Sequence, residues 1–79
     1  MSKEESFNDP IQEYYYLTLL DLYSGITFAE LERNLKFYEE IENFEACAGI
    51  QKALKECHYY SIKDLIKRIQ EIEDELGIN

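Results

Sequence analysis

The chain predicts an all-α fold, a small bundle of three to four short helices built around a central antiparallel helical hairpin. Three observations predict it. Apolar residues recur at helical spacing, a capping sequence stands before the periodic stretches, and nowhere do apolar and polar residues alternate as in a half-buried strand. With no internal repeat and no linker, residues 1–79 read as a single helical domain. A chain of 79 residues buries only a modest core, so it must pack its helices closely or share that core with a partner.

The opening MSKEESFN is polar, and residues 1–8 are expected to form a flexible arm. In NDP, Asn8 or Asp9 offers a side-chain oxygen to the free amides of a first helix. Pro10 suits its first position, where a backbone N–H has no helical partner. Ser24-Gly25 ends that helix, because glycine readily takes the left-handed conformation of a helix terminus. TFAE opens a second helix as a capping box of Thr27 and Glu30, and Phe28, Leu31, Leu35, Tyr38 and Ile41 give it one apolar face. The chain turns over Ile41 to Asn43, and Asn43 caps a third helix that runs to about His58. SIKD starts a fourth helix at Ser61, which runs to Leu76 before Gly77 stops it.

The third helix has little bulk on one side. Ala46, Gly49 and Ala53 fall on one flank, Cys47, Ile50 and Leu54 on the other, with Cys57 between them. Glycine inside a helix costs about 1 kcal/mol relative to alanine. Such a flank is expected where another helix axis comes close, and the tyrosine-rich first helix is the natural neighbour. The stretch NFEACAGIQKAL is similar to the UVR motif, a short helical hairpin of bacterial excision-repair nuclease subunits and of some quality-control adaptors. Phe44 and Glu45 match the motif's turn, Cys47 and Ala48 its small pair, and Ile50 and Leu54 its aliphatic positions; Gln51 and Lys52 replace its Arg-Asp pair. The resemblance covers residues 31–57 and implies a hairpin that docks on another protein, without catalysis. In size and acidity the chain otherwise resembles small phage or bacterial proteins.

Seventeen acidic residues against eight basic ones give a net charge of -9. With no basic patch to meet phosphates, direct nucleic-acid binding and attachment to anionic membranes are not expected. The apolar run YYYLTLLDLY is too short to span a bilayer. Cys47 and Cys57 lie on one helix roughly 15 Å apart by helical rise, beyond disulfide reach. They read as free thiols of a reducing, cytoplasmic compartment.

No catalytic residue, metal site, cofactor or small-molecule substrate is expected. His58 beside Cys57 lacks the orienting third group of a nucleophile and the four ligands of a zinc site. It reads as a surface residue near a helix end. Glu39, Glu40, Glu42 and Glu45 cluster at a turn without the spacing of a calcium loop, and read as a solvated acidic turn.

The expected surface is a protein interface. Ile11, Tyr14, Tyr15, Tyr16, Leu17, Leu19, Leu20, Leu22 and Tyr23 leave the first helix almost no polar face, more than three short helices are expected to cover. Tyr15, Tyr16 and Leu19 are therefore expected to meet a partner, and Phe37, opposite Phe28 and Leu35, is a further anchor. On the fourth helix Ile62, Leu65, Ile69, Ile72 and Leu76 form a seam, with Lys63, Lys67 and Arg68 toward its start and Glu71, Glu73, Asp74 and Glu75 toward its end. That order opposes the helix dipole and suits an antiparallel pairing with a symmetry mate. The function expected is that of a small acidic helical adaptor, homodimeric and binding protein. The alternative is an acidic mimic of nucleic acid that inhibits a host or defence enzyme, as small phage proteins do.

Overall fold

The capping signals place the four helices seen in the computed structural model, which describes residues 9–77; the expected arm lies outside them. They are α1 (Pro10–Tyr23), α2 (Phe28–Glu40), α3 (Phe44–Cys57) and α4 (Ile62–Leu76). Asp9 caps α1, its carboxylate accepting the Ile11 N–H at 2.9 Å. The helix ends with Gly25 at φ 104° and the Ile26 N–H bonded back to the Asp21 carbonyl at 3.0 Å, satisfying a carbonyl the helix leaves open. Asn43 caps α3 by accepting the Ala46 N–H. At α4 the capping box is complete, with Ser61 and Asp64 each accepting the other's backbone N–H. The box expected at α2 is only half formed: Thr27 accepts the Glu30 N–H, but the Glu30 carboxylate turns to the Thr27 hydroxyl.

The turn between α2 and α3 is the strained one. The Asn43 N–H bonds to the Tyr38 carbonyl and the Glu42 N–H to the Glu39 carbonyl, which requires a left-handed residue at position 42. Glutamate stands there at φ 60° instead of glycine. Its Cβ makes that conformation cost about 1 to 2 kcal/mol.

Short connections fix the directions. α1 and α3 run parallel, since the Asn43 amide donates to the Tyr14 hydroxyl at one end while Leu22 and Cys57 line one groove at the other. α4 runs antiparallel to α1: the Tyr16 hydroxyl donates to Glu73 near one end, and Leu22 shares a groove with Ile62 and Leu65 near the other. α3 packs against α2 and α1, and α4 closes on α1, giving an all-α bundle in the order α2, α3, α1, α4.

The small flank of α3 is where α1 sits. A Cβ at Gly49 would lie 2.6 Å from the Tyr14 Cβ and 2.7 Å from the Ile11 carbonyl oxygen, so the two backbones approach closely. Ala46 and Ala53 beside it are fully buried. The opposite flank, with Cys47 and Ile50 buried, faces α2, where the Cys47 thiol lies 4.0 Å from the Leu35 carbonyl.

This close approach corrects the expectation that α1 is left uncovered. Tyr15 and Leu19 are fully buried and Tyr16 nearly so, in one cluster with Ala53, Cys57, Leu65, Ile69 and Ile72. α4 packs directly on α1 and reaches the same side chains. Tyr15, Tyr16 and Leu19 are core residues of a single chain. Leu65, Ile69 and Ile72, the centre of the α4 seam, are spent on α1 and are not available to a symmetry mate; Leu76 packs on the rim of the same core. Only Ile62 of that seam is exposed.

Candidate interaction surface

The hydroxyls of Tyr15 and Tyr16 have inward partners. The Tyr15 hydroxyl donates to Glu56 on α3 and accepts from the Arg68 Nε on α4 at 2.9 Å, joining three helices at one oxygen. Lys52 stands 4.4 Å from the centre of the same ring, in cation–π range. Arg68 also reaches Glu71 at 3.4 Å, and the Tyr60 hydroxyl approaches Glu56. Buried Thr18 satisfies itself on the Tyr14 carbonyl, and no buried polar side chain among the described residues lacks a partner. Burial and the neighbouring Glu56 hold the Tyr15 hydroxyl protonated far above the ordinary tyrosine value, against the opposing pull of Arg68. Burial, and then Glu73, pushes Tyr16 up to about 12.

Tyr15→Phe removes both hydrogen bonds and is expected to destabilise the chain. Loss of two bonds to charged groups is offset where Arg68 and Glu56 can pair directly, leaving a net cost of about 1 to 2 kcal/mol. Urea denaturation measures it. A variant as stable as the parent would show that the hydroxyl joins nothing.

Three of the exposed large apolar side chains lie around the strained turn, apart from Leu17, Tyr23, Phe28, Tyr59 and Ile62 elsewhere on the surface. Phe37 is 55% exposed, Ile41 55% and Phe44 69%, three large apolar side chains within eight residues. Phe37 meets the Tyr38 ring edge-on. Ile41 belongs to the apolar face expected of α2, but the chain reverses there and α3 begins too late to cover it. Glu39, Glu40, Glu42 and Glu45, all exposed, surround these side chains.

The topology adds to that rim. Parallel α1 brings Asp9 and Glu13 to the same end of the bundle, and antiparallel α4 brings its terminal Glu73, Asp74 and Glu75. Residues 9–14, 37–48 and 71–77 together carry ten carboxylates and no Lys, Arg or His. The opposite end mixes signs, with Lys55, Lys63, Lys67 and Arg68 set among Glu32, Glu56 and Asp64. The charge that opposes the dipole along α4 is thus one part of an acidic pole built by all four helices.

Among the hairpin residues, Phe44 and Glu45 lie on this pole, while Cys47, Gly49, Ile50 and Ala53 are internal and Ala48 and Leu54 half-buried. Burial, with Glu56 adding to it, pushes the Cys57 thiol up to about 11, the opposite of an activated nucleophile. His58 caps the end of α3 and meets Tyr59 edge-on. Among the described residues no three His, Cys, Asp or Glu side chains converge to hold a metal, and no helix is long and apolar enough to cross a membrane. Leu17, Tyr23 and Tyr59 are exposed apolar residues that helical periodicity did not separate from their buried neighbours. Comparison with protein-family models, with curated proteins and with solved structures finds no match for this chain.

Proposed function

We propose that the chain is a small acidic helical interaction module that presents the α2–α3 turn to a protein partner. One observation carries this reading: Phe37, Ile41 and Phe44 stand exposed at an end of the bundle where ten carboxylates gather, Glu71 among them paired with Arg68. Apolar side chains at the centre of a charged rim are the arrangement of a binding hot spot, where desolvation at the centre supplies affinity and the rim supplies orientation and encounter rate. The strained Glu42 supports the same location, because a left-handed glutamate persists where the turn's geometry is held by its surroundings. The UVR-like residues Phe44 and Glu45 fall on this surface, in keeping with a docking hairpin. Its partner is expected to be a protein with a basic rim around an apolar pocket.

The acidic pole also favours a second reading, a mimic of nucleic acid seated in an enzyme's phosphate-binding groove. The two differ in what they need. Capture of a partner from the source cells, repeated with Phe37→Asp and Phe44→Asp and with Glu39, Glu40, Glu42 and Glu45 changed to Gln, separates them. For a docking hairpin each aromatic change is expected to weaken the complex by about thirtyfold, while added salt matters less. A mimic would survive the aromatic changes and fail with the glutamines and with salt. A partner retained through both sets, with helical circular dichroism unchanged, overturns the assignment of this pole.

A further inference from the structure

On the side of α1 away from α3, a groove of about 230 Å³ runs between α1 and α4, lined by Leu20, Tyr23, Ile66, Ile69, Gln70 and Glu73. Its α1 bank continues into Leu17, 45% exposed, and Tyr23 is 55% exposed. Its α4 bank is a single helical stripe of Ile66, Gln70 and Glu73, which Lys63 extends by one turn toward the start of the helix. Leu65, Ile69 and Ile72 of the α4 seam are already packed on α1, and this stripe is one surface that α4 leaves open to another molecule.

We propose that this groove takes the same groove of a second copy of the chain, with the two α4 helices antiparallel. The charge order of the stripe selects that occupant. A two-fold axis passing near residue 68 sets Lys63 of one copy opposite Glu73 of the other, twice, and Ile66 opposite Gln70. Tyr16 bonds to the Glu73 Oε2 at 2.7 Å and so holds that carboxylate on the bank of the groove. Two chains of net charge -9 repel one another in most orientations. The antiparallel one places the acidic poles at opposite ends of the pair, separated along a helix about 22 Å long. It also sets each pole beside Lys63 of the other copy, whereas a parallel pairing superposes the two poles.

Sedimentation velocity across the micromolar range, at low and at physiological salt, tests this. The parent chain is expected to form a dimer. Leu17→Glu, at an exposed position, is expected to weaken it by about tenfold or more with the melting temperature unchanged. Lys63→Glu should weaken it most at low salt, and adding Glu73→Lys should restore it by exchanging the two signs. Because Glu73→Lys also removes the partner of Tyr16, its effect on folding is read from the melting temperature of Glu73→Lys alone. A parent chain that stays monomeric overturns the proposal. So does a dimer indifferent to Leu17→Glu and Lys63→Glu, or one lost instead with Phe37→Asp, which would place self-association at the acidic pole.

Discussion

Gly49→Ala is expected to destabilise the chain by about 2 kcal/mol or more, although alanine is the better helix former by about 1 kcal/mol. The two effects have opposite signs, and geometry decides which wins. The added methyl would stand 2.6 Å from the Tyr14 Cβ, 2.7 Å from the Ile11 carbonyl oxygen and 2.8 Å from the Tyr15 nitrogen. Two of those three atoms are backbone and cannot rotate away, so α1 as a whole has to move. That movement disturbs the buried oxygen shared by Tyr15, Glu56 and Arg68 as well as the packing of Leu19. For a domain of this size the melting temperature should fall by about 8 to 16 °C. A variant that melts at or above the parent temperature would show that α1 does not lie against this flank.

The second large effect is expected in alkali. Cys57, Tyr16 and Tyr15 all hold their protons more tightly in the fold than in the unfolded chain, each chiefly because burial disfavours the charged form. Above its ordinary value each group is deprotonated in the unfolded chain and still protonated in the native one, so stability must fall as pH rises. Below about pH 9 this contribution is fully present. Cys57 removes stability as pH climbs from 9.0 to about 11, and Tyr16 from 10.0 to about 12, with Tyr15 continuing beyond. Each unmatched proton costs at most about 1.4 kcal/mol per pH unit, so the loss by pH 11, with Cys57 unmatched over two units and each tyrosine over one, is on the order of 5 kcal/mol. Thermal melts at increasing pH, followed with tyrosinate absorbance, measure it. Cys57→Ala should delay the onset, and Tyr16→Phe should reduce the later slope. Tyr15 and Tyr16 ionising as free tyrosine does, with the helices intact, would place their hydroxyls in solvent.

Local signals in this chain act over one turn of helix, and these the sequence shows directly. Asp9, Thr27, Asn43 and Ser61 cap the four helices because a side-chain oxygen finds an amide two or three residues ahead whatever the rest of the chain does. The small flank of α3 was legible for a related reason: glycine in a helix carries a cost that only a close neighbour offsets, and Tyr14 and Ile11 are that neighbour.

Which apolar face is covered is a different kind of fact. Tyr15, Tyr16 and Leu19 look like surplus on α1 until α3 and α4 both pack on it, and Leu65, Ile69 and Ile72 look like an intermolecular seam until they meet that surplus. Periodicity assigns a residue to a stripe, and it cannot say what the stripe faces. The acidic pole has the same origin. The Glu39–Glu45 turn, Glu13 and Asp74 are far apart in sequence, and only the parallel course of α1 with α3 and the reversal of α2 and α4 bring them to one end of the bundle. By itself the sequence determined four capped helices and a flank thin enough for close packing, because those depend on neighbours within a few residues. The tertiary structure alone decided which side chains form the core and which stay exposed, because that depends on where the chain returns.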